Sequence, residues 1–222
     1  MLVVVAPGQG AQSPGFLTPW LDVPGVRERL EWLSVVSGID LVEHGTTSDA
    51  DTIKDTAVAQ PLIVGAGLVS LLSLFPHPST AYSAIGAGAG HSVGEITAAV
   101  GAGVLTAEQA MVLVRERGSA MADAAGRTAT GMSAVLGGDS DAVVTACDAV
   151  GLTAANINGA GQIVVAGTQI QLAAFADNPP EGCRVRPLEV AGAFHTEHMA
   201  PAVGHLDKLS NAITTHDPRI PL

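Results

Sequence analysis

Aromatic and charged side chains are both scarce in this 222-residue sequence. Phe, Trp and Tyr together make up 3% of it and Asp, Glu, Lys and Arg 14%, whereas hydrophobic residues make up 47%. So apolar a composition excludes an intrinsically disordered chain. Because aromatic side chains are few, the interior must be built from Ala, Val, Leu and Ile. Together with 26 Gly, this favours close packing of helices on a sheet in an α/β protein.

Basic residues and cysteines are also few. Ten Lys and Arg stand against 21 Asp and Glu, which gives a formal net charge of −11. Such a charge repels phosphate backbones and anionic lipid, so we expect no nucleic acid or membrane partner, and an anionic substrate must meet a local cation. Two cysteines, Cys147 and Cys183, form no disulfide framework and lack metal-ligand spacing. We therefore expect no metal site and no tightly bound cofactor.

No segment predicts secretion or membrane insertion. The apolar run 2–6 has no basic residues before it and ends at Pro7, so it predicts a buried, central strand of a parallel sheet and not a signal peptide. The apolar stretch 62–75 contains Gly65 and Gly67 and is too short to span a bilayer. We therefore expect a cytoplasmic protein.

The first 127 residues predict a mixture of helices and strands. Residues 25–55 favour one helix and irregular structure, and a buried helix is expected from Gln60 to about Phe75, with Pro61 in its first turn. A weak strand over 82–89 then leads into a Gly-rich turn. Helical patterns follow over 96–100 and 108–124.

Residues 128–190 show a different, more compact pattern. Apolar runs at 132–136, 152–156, 162–166 and 184–190 alternate with helical patterns at 141–150 and 169–176. This β-α-β-β-α-β order is that of a ferredoxin-like unit. It predicts a small subdomain of residues 128–190 inserted into a large α/β subdomain of residues 1–127 and 191–222.

One motif predicts a nucleophile. Residues 90–94, Gly-His-Ser-Val-Gly, match G-x-S-x-G, in which flanking glycines permit a sharp turn from strand to helix that exposes the serine hydroxyl of Ser92. The helix N-terminus would also stabilise negative charge that develops there. An ordinary Gly-rich turn is the alternative, but the position between a predicted strand and helix favours the elbow.

Three further features are candidates for the same site. Among seven histidines the spacing does not select a base, but His195 directly follows the last strand of the ferredoxin-like unit; a surface histidine is the alternative. The Gly-rich residues 7–12 follow the first strand as an oxyanion loop would, and they match no nucleotide-binding motif. Arg117 lies on an apolar helix face, so it must pair with a carboxylate of the protein or of a substrate.

These motifs, in this order, resemble malonyl-CoA:acyl carrier protein transacylases. The resemblance runs from residue 1 to the end of the chain and implies an α/β-hydrolase-like large subdomain with a parallel sheet plus an inserted ferredoxin-like small subdomain. It is carried by residues 8–12 (Gly-Gln-Gly-Ala-Gln), 59–61 (Ala-Gln-Pro), 90–95 (Gly-His-Ser-Val-Gly-Glu), 117–118 (Arg-Gly), 156–162 (Asn-Ile-Asn-Gly-Ala-Gly-Gln) and 192–195 (Gly-Ala-Phe-His).

The resemblance also implies an activity and a set of roles. A malonyl group from malonyl-CoA would pass through an ester of Ser92 to the phosphopantetheine thiol of acyl carrier protein, in fatty acid or polyketide synthesis. Ser92 and His195 would form a dyad without an acid, and Arg117 would hold the malonyl carboxylate. The remaining roles implied are an oxyanion hole from the backbone N–H groups of Gln9 and Val93, selection against branched substrates by Phe194, and a cleft lined by Gln60, Asn158 and Gln162.

Two other functions fit the same residues. A serine thioesterase or esterase uses the same elbow and histidine. Members of the family also continue well past the position of Leu222, so the large subdomain is expected to be truncated at its C-terminus, and a non-catalytic module that binds carrier protein is the second alternative. In each case we expect a monomer.

Overall fold

The chain contains both strands and helices, as the composition predicts, in a computed structural model that describes all 222 residues. The six strands are β1 (Leu2–Ala6), β2 (Ile85–Gly90), β3 (Thr130–Gly137), β4 (Thr153–Gly159), β5 (Gln162–Thr168) and β6 (Cys183–Pro187). The ten α-helices are α1 (Val26–Ser37), α2 (Leu41–Thr46), α3 (Ala50–Lys54), α4 (Thr56–Leu74), α5 (Pro78–Ala84), α6 (Gly94–Gly101), α7 (Ala107–Ala125), α8 (Ser140–Val150), α9 (Gln169–Asp177) and α10 (Ala200–Ser210).

The elements form two compact units. The first unit consists of Met1–Ser119 with Leu206–Leu222, and the second of Ala120–His205. The first unit holds a parallel sheet and the second an antiparallel sheet, which confirms the α/β class with two subdomains. The subdomain boundaries at residues 128 and 190 stay a prediction.

The sheet of the first unit has two strands. β1 pairs with β2 in parallel, from Leu2 opposite Ile85 to Ala6 opposite Gly90. The prediction that β1 is a buried, central strand was wrong, since Val5 is 73% exposed and only Ala6 is buried. The reason is that β1 has one partner strand, so an apolar run typical of a central strand lies at a sheet edge.

α4 is the central helix of the first unit. It begins at Thr56, earlier than the predicted Gln60, because the side chain of Asp55 accepts the Ala57 N–H at 2.8 Å, and Pro61 lies inside it. The helix is longer than the apolar stretch 62–75 noted in the sequence, and an 18-residue window of it has a mean hydropathy of 1.9, so by length and composition alone it could span a membrane. By burial α4 is a core helix, since 56% of its most apolar window is buried.

The remaining helices of this unit complete the core. Residues 25–55, where one helix was predicted, form three, and two of them begin at the aspartate caps Asp40 and Asp49. The strand predicted over 82–89 begins only at Ile85, because the residues before it form α5. The buried core joins side chains of α1, α4, α6 and α7, among them Leu30, Leu62, Val64, Ile96 and Met111.

The second unit contains the predicted β-α-β-β-α-β series. Its sheet has the order β4-β5-β3-β6 with every pair antiparallel, which is the strand order of a ferredoxin-like fold. Alternate residues of β3 and β5 pack on opposite faces. Val135, Ile163 and Val165 pack with α8 and α9, whereas Met132, Val164 and Ala166 pack with Phe194 and Met199. Because both faces are covered, these strands are continuous apolar runs.

Candidate active site

Ser92 occupies a strained turn between a strand and a helix. β2 ends at Gly90, α6 begins at Gly94, and Ser92 between them has a φ of 52°. A left-handed conformation is unfavourable for a side chain with a Cβ, and it persists at functional sites when the surroundings impose it. The predicted setting of the elbow is confirmed; the role of its serine stays a prediction.

The two glycines that flank the turn allow backbone segments to meet. A Cβ on Gly90 would overlap the backbone nitrogen of Glu95. A Cβ on Gly94 would overlap the carbonyl oxygen of Ala6 and lie 2.6 Å from that of Pro7. Since these are backbone atoms of packed elements, neither clash can be relieved by moving a side chain. The G-x-S-x-G spacing is therefore required by the meeting of β1, β2 and α6.

The loop after β1 lies against the elbow. The His91 N–H donates to the carbonyl oxygen of Ala6 at 3.0 Å, and a Cβ on Gly8 would lie 2.6 Å from the His91 Nδ1. The Gln9 side-chain amide donates to the carbonyl oxygen of Lys54 at 3.3 Å, which ties the loop to α3. The backbone N–H groups of Gln9 and Val93 donate to no acceptor of the protein, so both are available to a ligand.

Arg117 reaches Ser92 from α7. Its Nη2 lies 3.4 Å from the Ser92 Oγ, and its Nη1 donates a short hydrogen bond to the side-chain oxygen of Gln60. The approach of α7 to α4 depends on Gly118, whose Cβ would lie 2.8 Å from the carbonyl oxygen of Thr56. Gln60 is one turn further along α4 and is only 1% exposed. Arg117 thus supplies the positive charge, and Gly118 allows the close approach of α7 to α4 that positions this charge.

The electrostatics of Arg117 favour an anionic ligand. Burial lowers the pKa of its guanidinium, and the nearby charge of Glu95 opposes that shift. The two hydrogen-bond acceptors of the guanidinium, Gln60 and Ser92, are neutral. The sequence left two partners open for Arg117, a carboxylate of the protein or one of a substrate. The guanidinium is hydrogen-bonded to no carboxylate of the protein, so the first of these is wrong. A guanidinium has five donors, so several remain for a carboxylate at this site.

The loop with His195 belongs to the second unit. His195 is exposed and has a φ of 60°, whereas the three residues before it are buried. Phe194, the predicted selector against branched substrates, is 6% exposed and packs with Met132 and Met199. The side chain of Phe194 is thus part of the core of this unit, next to an exposed imidazole.

Asn158 and Gln162 lie at the β4–β5 hairpin. The Asn158 side-chain amide donates to the Gln162 side-chain oxygen at 2.9 Å. Between them the chain turns through Gly159, Ala160 and Gly161, which all have positive φ. This bond links the two ends of the turn.

Sequence reasoning missed the residue that holds the His195 loop. The hydroxyl of Thr130, at the start of β3, accepts the Ala193 N–H at 3.1 Å. The two residues are 63 positions apart, so no local pattern links them. The only signal in the sequence is a polar residue at the start of a mainly apolar strand.

Comparisons with known proteins agree with this geometry. The acyl transferase domain family matches residues 3–222. The malonyl CoA-acyl carrier protein transacylase of Mycobacterium bovis is 46% identical over 98% of this chain, which covers 72% of that protein. The crystal structure of MCAT from Mycobacterium tuberculosis superposes with a TM-score of 0.94 at 45% identity, covering 99% of this chain and 72% of that one.

A complex is also among the similar structures. It contains a type II PKS acyl-carrier protein with its malonyl-transacylase, and it superposes with a TM-score of 0.90 at 29% identity, covering 99% of this chain and 72% of that one. Sequence, fold and the arrangement around Ser92 lead to the same assignment. The chain belongs to the acyl transferase domain family, among the malonyl CoA-acyl carrier protein transacylases.

Proposed function

We propose that this chain transfers a malonyl group from malonyl-CoA to the phosphopantetheine thiol of acyl carrier protein. The observation that carries the proposal is the distance of 3.4 Å between the Arg117 Nη2 and the Ser92 Oγ. A cation beside the nucleophile suits an acyl group that ends in a carboxylate. The named relatives and the complex with a carrier protein support the same donor and acceptor.

The first half-reaction forms an acyl-enzyme. The Ser92 Oγ attacks the thioester carbonyl while His195 takes the hydroxyl proton. Collapse of the tetrahedral intermediate breaks the bond from carbon to sulfur, and the departing CoA sulfur receives the proton from His195. The product is a malonyl ester of Ser92 and free CoA.

The second half-reaction reverses these steps with another thiol. His195 takes the proton of the phosphopantetheine thiol, whose sulfur attacks the ester, and then returns it to Ser92. The acid and base work of both steps falls to one histidine, so a dyad suffices. The kinetics are therefore ping-pong, with CoA leaving before the carrier protein reacts.

We assign the oxyanion hole to the backbone N–H groups of Gln9 and Val93. Val93 directly follows Ser92, and Gln9 lies in the loop whose Gly8 packs against His91; neither N–H has an acceptor in the protein. Val93 also directly precedes α6, whose N-terminal dipole favours negative charge. Loss of one such donor typically reduces the rate by about 10²–10³.

Substrate selection is assigned to Arg117 and its surroundings. The guanidinium binds the malonyl carboxylate by paired hydrogen bonds, and Gln60 holds the guanidinium in place. Phe194 adds bulk beside His195 that disfavours a branched α-carbon, and one methyl group is worth about 1–3 kcal/mol of discrimination. For Asn158 and Gln162 a position along the substrate cleft stays a prediction, and their bond to each other leaves further amide donors and acceptors for a ligand.

The setting of the reaction is part of the proposal. We place the protein in the cytoplasm as a monomer, with the carrier protein as its macromolecular partner. Fatty acid synthesis is the pathway we favour; polyketide synthesis uses the same chemistry, and one similar structure holds a type II PKS acyl-carrier protein.

The experiment is mass spectrometry after brief incubation with malonyl-CoA. A malonyl adduct on the Ser92 peptide is expected, absent in Ser92→Ala and retained in the control Ser83→Ala, which removes an exposed hydroxyl on α5. Addition of carrier protein should discharge the adduct to the carrier. Release of free malonate instead would indicate a thioesterase, and a folded protein without an adduct would indicate a binding module.

A further inference from the structure

The loop that carries His195 is held at a single peptide by two threonine hydroxyls. The Ala193 N–H donates to the Thr130 Oγ1 at 3.1 Å, and the Ala193 carbonyl oxygen accepts from the Thr196 Oγ1 at 2.7 Å. Both polar groups of this buried residue are thus bonded to side chains, and neither bond belongs to a strand or helix. Buried backbone groups outside strands and helices need such partners, and here two side chains supply them.

Thr130 is a rigid point of attachment. It is 7% exposed and begins β3, where it pairs with Thr168 of β5. Its carbonyl oxygen also accepts from the Gln169 side-chain amide at 3.0 Å. Side chains on strands of a sheet hold a site more firmly than side chains on loops. The position of Ala193 is therefore set by the sheet.

Thr196 closes the loop on the other side. Besides donating to Ala193, its hydroxyl accepts the His198 N–H at 3.2 Å and so begins the short helix that follows. Phe194 is buried in the core, so the loop is fixed before and after His195. The φ of 60° at His195 is the conformation that joins these two fixed points. An unfavourable backbone conformation persists where the surrounding structure determines it.

We propose that the hydroxyls of Thr130 and Thr196 position His195: by holding the Ala193 peptide from both sides they fix the left-handed backbone from which the imidazole projects. Both are positioning residues, since they act through the loop and touch neither substrate nor reacting atoms. The inference rests on the proposed function, in which His195 is the base. It adds that the sheet of the second unit orients that base.

The test is single-turnover malonylation of Ser92 in the full chain, followed by rapid quench and mass spectrometry. Thr130→Val keeps the shape of the side chain and removes the hydroxyl. Displacement of a catalytic group by about 1 Å can cost about 10²-fold, so we expect the maximal acylation rate to fall by about 10- to 100-fold, with an unchanged half-saturating malonyl-CoA concentration. Thr130→Ser restores the hydroxyl and should recover most of the rate.

Two controls separate positioning from stability. Ser133→Ala removes another buried polar group of the same strand and should leave the acylation rate unchanged. The second readout is the acylation rate measured as a function of pH. In Thr130→Val a displaced imidazole should shift the pH at which the rate is half-maximal. An enzyme that is merely less stable keeps the wild-type value. If Thr130→Val does not fold, Thr196→Val, on a half-buried residue, is expected to show the same loss and shift.

The outcomes distinguish this inference from the proposed function. If His195→Ala loads Ser92 as fast as the wild type, the base is assigned wrongly and the proposed function fails in that part. If His195→Ala is inactive while folded Thr130→Val and Thr196→Val keep the wild-type rate and pH midpoint, the positioning role is overturned. Loss of rate without rescue by Thr130→Ser would also contradict it.

Discussion

The Arg117 guanidinium shares its donors between Gln60, 57 positions earlier, and Ser92, 25 positions earlier. The bond to Gln60 holds the guanidinium in place, and its Nη2 lies 3.4 Å from the Ser92 Oγ, the proposed nucleophile. A carboxylate that displaced the weaker of these two contacts would bind within reach of the attacking oxygen. This relationship links substrate choice to the reacting atom.

Replacement of Arg117 should separate malonyl from acetyl substrates. Arg117→Ala removes hydrogen bonds to a charged group, each worth about 1.5–3 kcal/mol, so acylation by malonyl-CoA should fall by about 10²-fold or more. Acetyl-CoA has no carboxylate and should lose little. Initial rates with the two thioesters measure the difference. Arg115→Ala, which removes an exposed guanidinium paired with Glu116, is the matched control, and equal losses with both substrates in Arg117→Ala would refute the role.

A change of one atom at Gln60 should weaken malonyl binding. Gln60→Glu keeps the side-chain shape but places a carboxylate against the Arg117 guanidinium, where it competes with the substrate. The concentration of malonyl-CoA needed for half-saturation should rise by about tenfold, since one charged hydrogen bond is replaced. Saturation curves of Ser92 acylation measure it. Gln109→Glu, at a half-buried residue in the first turn of α7, should leave the curve unchanged. An unaltered half-saturation in Gln60→Glu would rule out this arrangement.

The elbow glycines should not tolerate a methyl group. Gly94→Ala sets a Cβ against the carbonyl oxygens of Ala6 and Pro7, so backbone must move and the free energy of unfolding should fall by about 1–3 kcal/mol. Gly204→Ala is the contrasting change, because this glycine lies in α10 with nothing within 4 Å of the added Cβ. There a gain of about 0.5–1 kcal/mol is expected. Urea unfolding of both variants checks the signs; a stable Gly94→Ala would mean that the elbow is not packed this way.

Alkaline pH should destabilise the protein through Cys147. Burial, with a smaller contribution from Asp148, raises the pKa of its thiol from 9.0 to about 11. The unfolded chain therefore releases the thiol proton first, and the stability that this group contributes is complete below about pH 9 and declines as the pH rises towards about 11. Urea unfolding across this window should show a steeper decline for the wild type than for Cys147→Ala. Parallel curves for the two proteins would contradict the assignment.

Local sequence determined the parts of the site whose physical cause lies within a few residues. Glycines at 90 and 94 permit the turn that Ser92 occupies, because a Cβ at either position would collide with backbone. The β-α-β-β-α-β series was readable from its apolar runs, since a sheet covered on both faces needs continuous hydrophobic strands. One local signal was missed. Asp55 caps α4, so the helix begins at Thr56, whereas Pro61 had indicated a start at Gln60.

Only the tertiary structure decided which distant residues meet. The pairing of Gln60 with Arg117 depends on the approach of α4 to α7, and that of Thr130 with Ala193 on a loop returning to the start of β3. Burial was decided in the same way: the apolar β1 is exposed because it has one neighbouring strand, while the polar Gln60 is buried because a guanidinium satisfies it. Helix and turn signals act over a few positions, whereas side-chain partners and burial follow from packing between elements, which no stretch of sequence encodes alone.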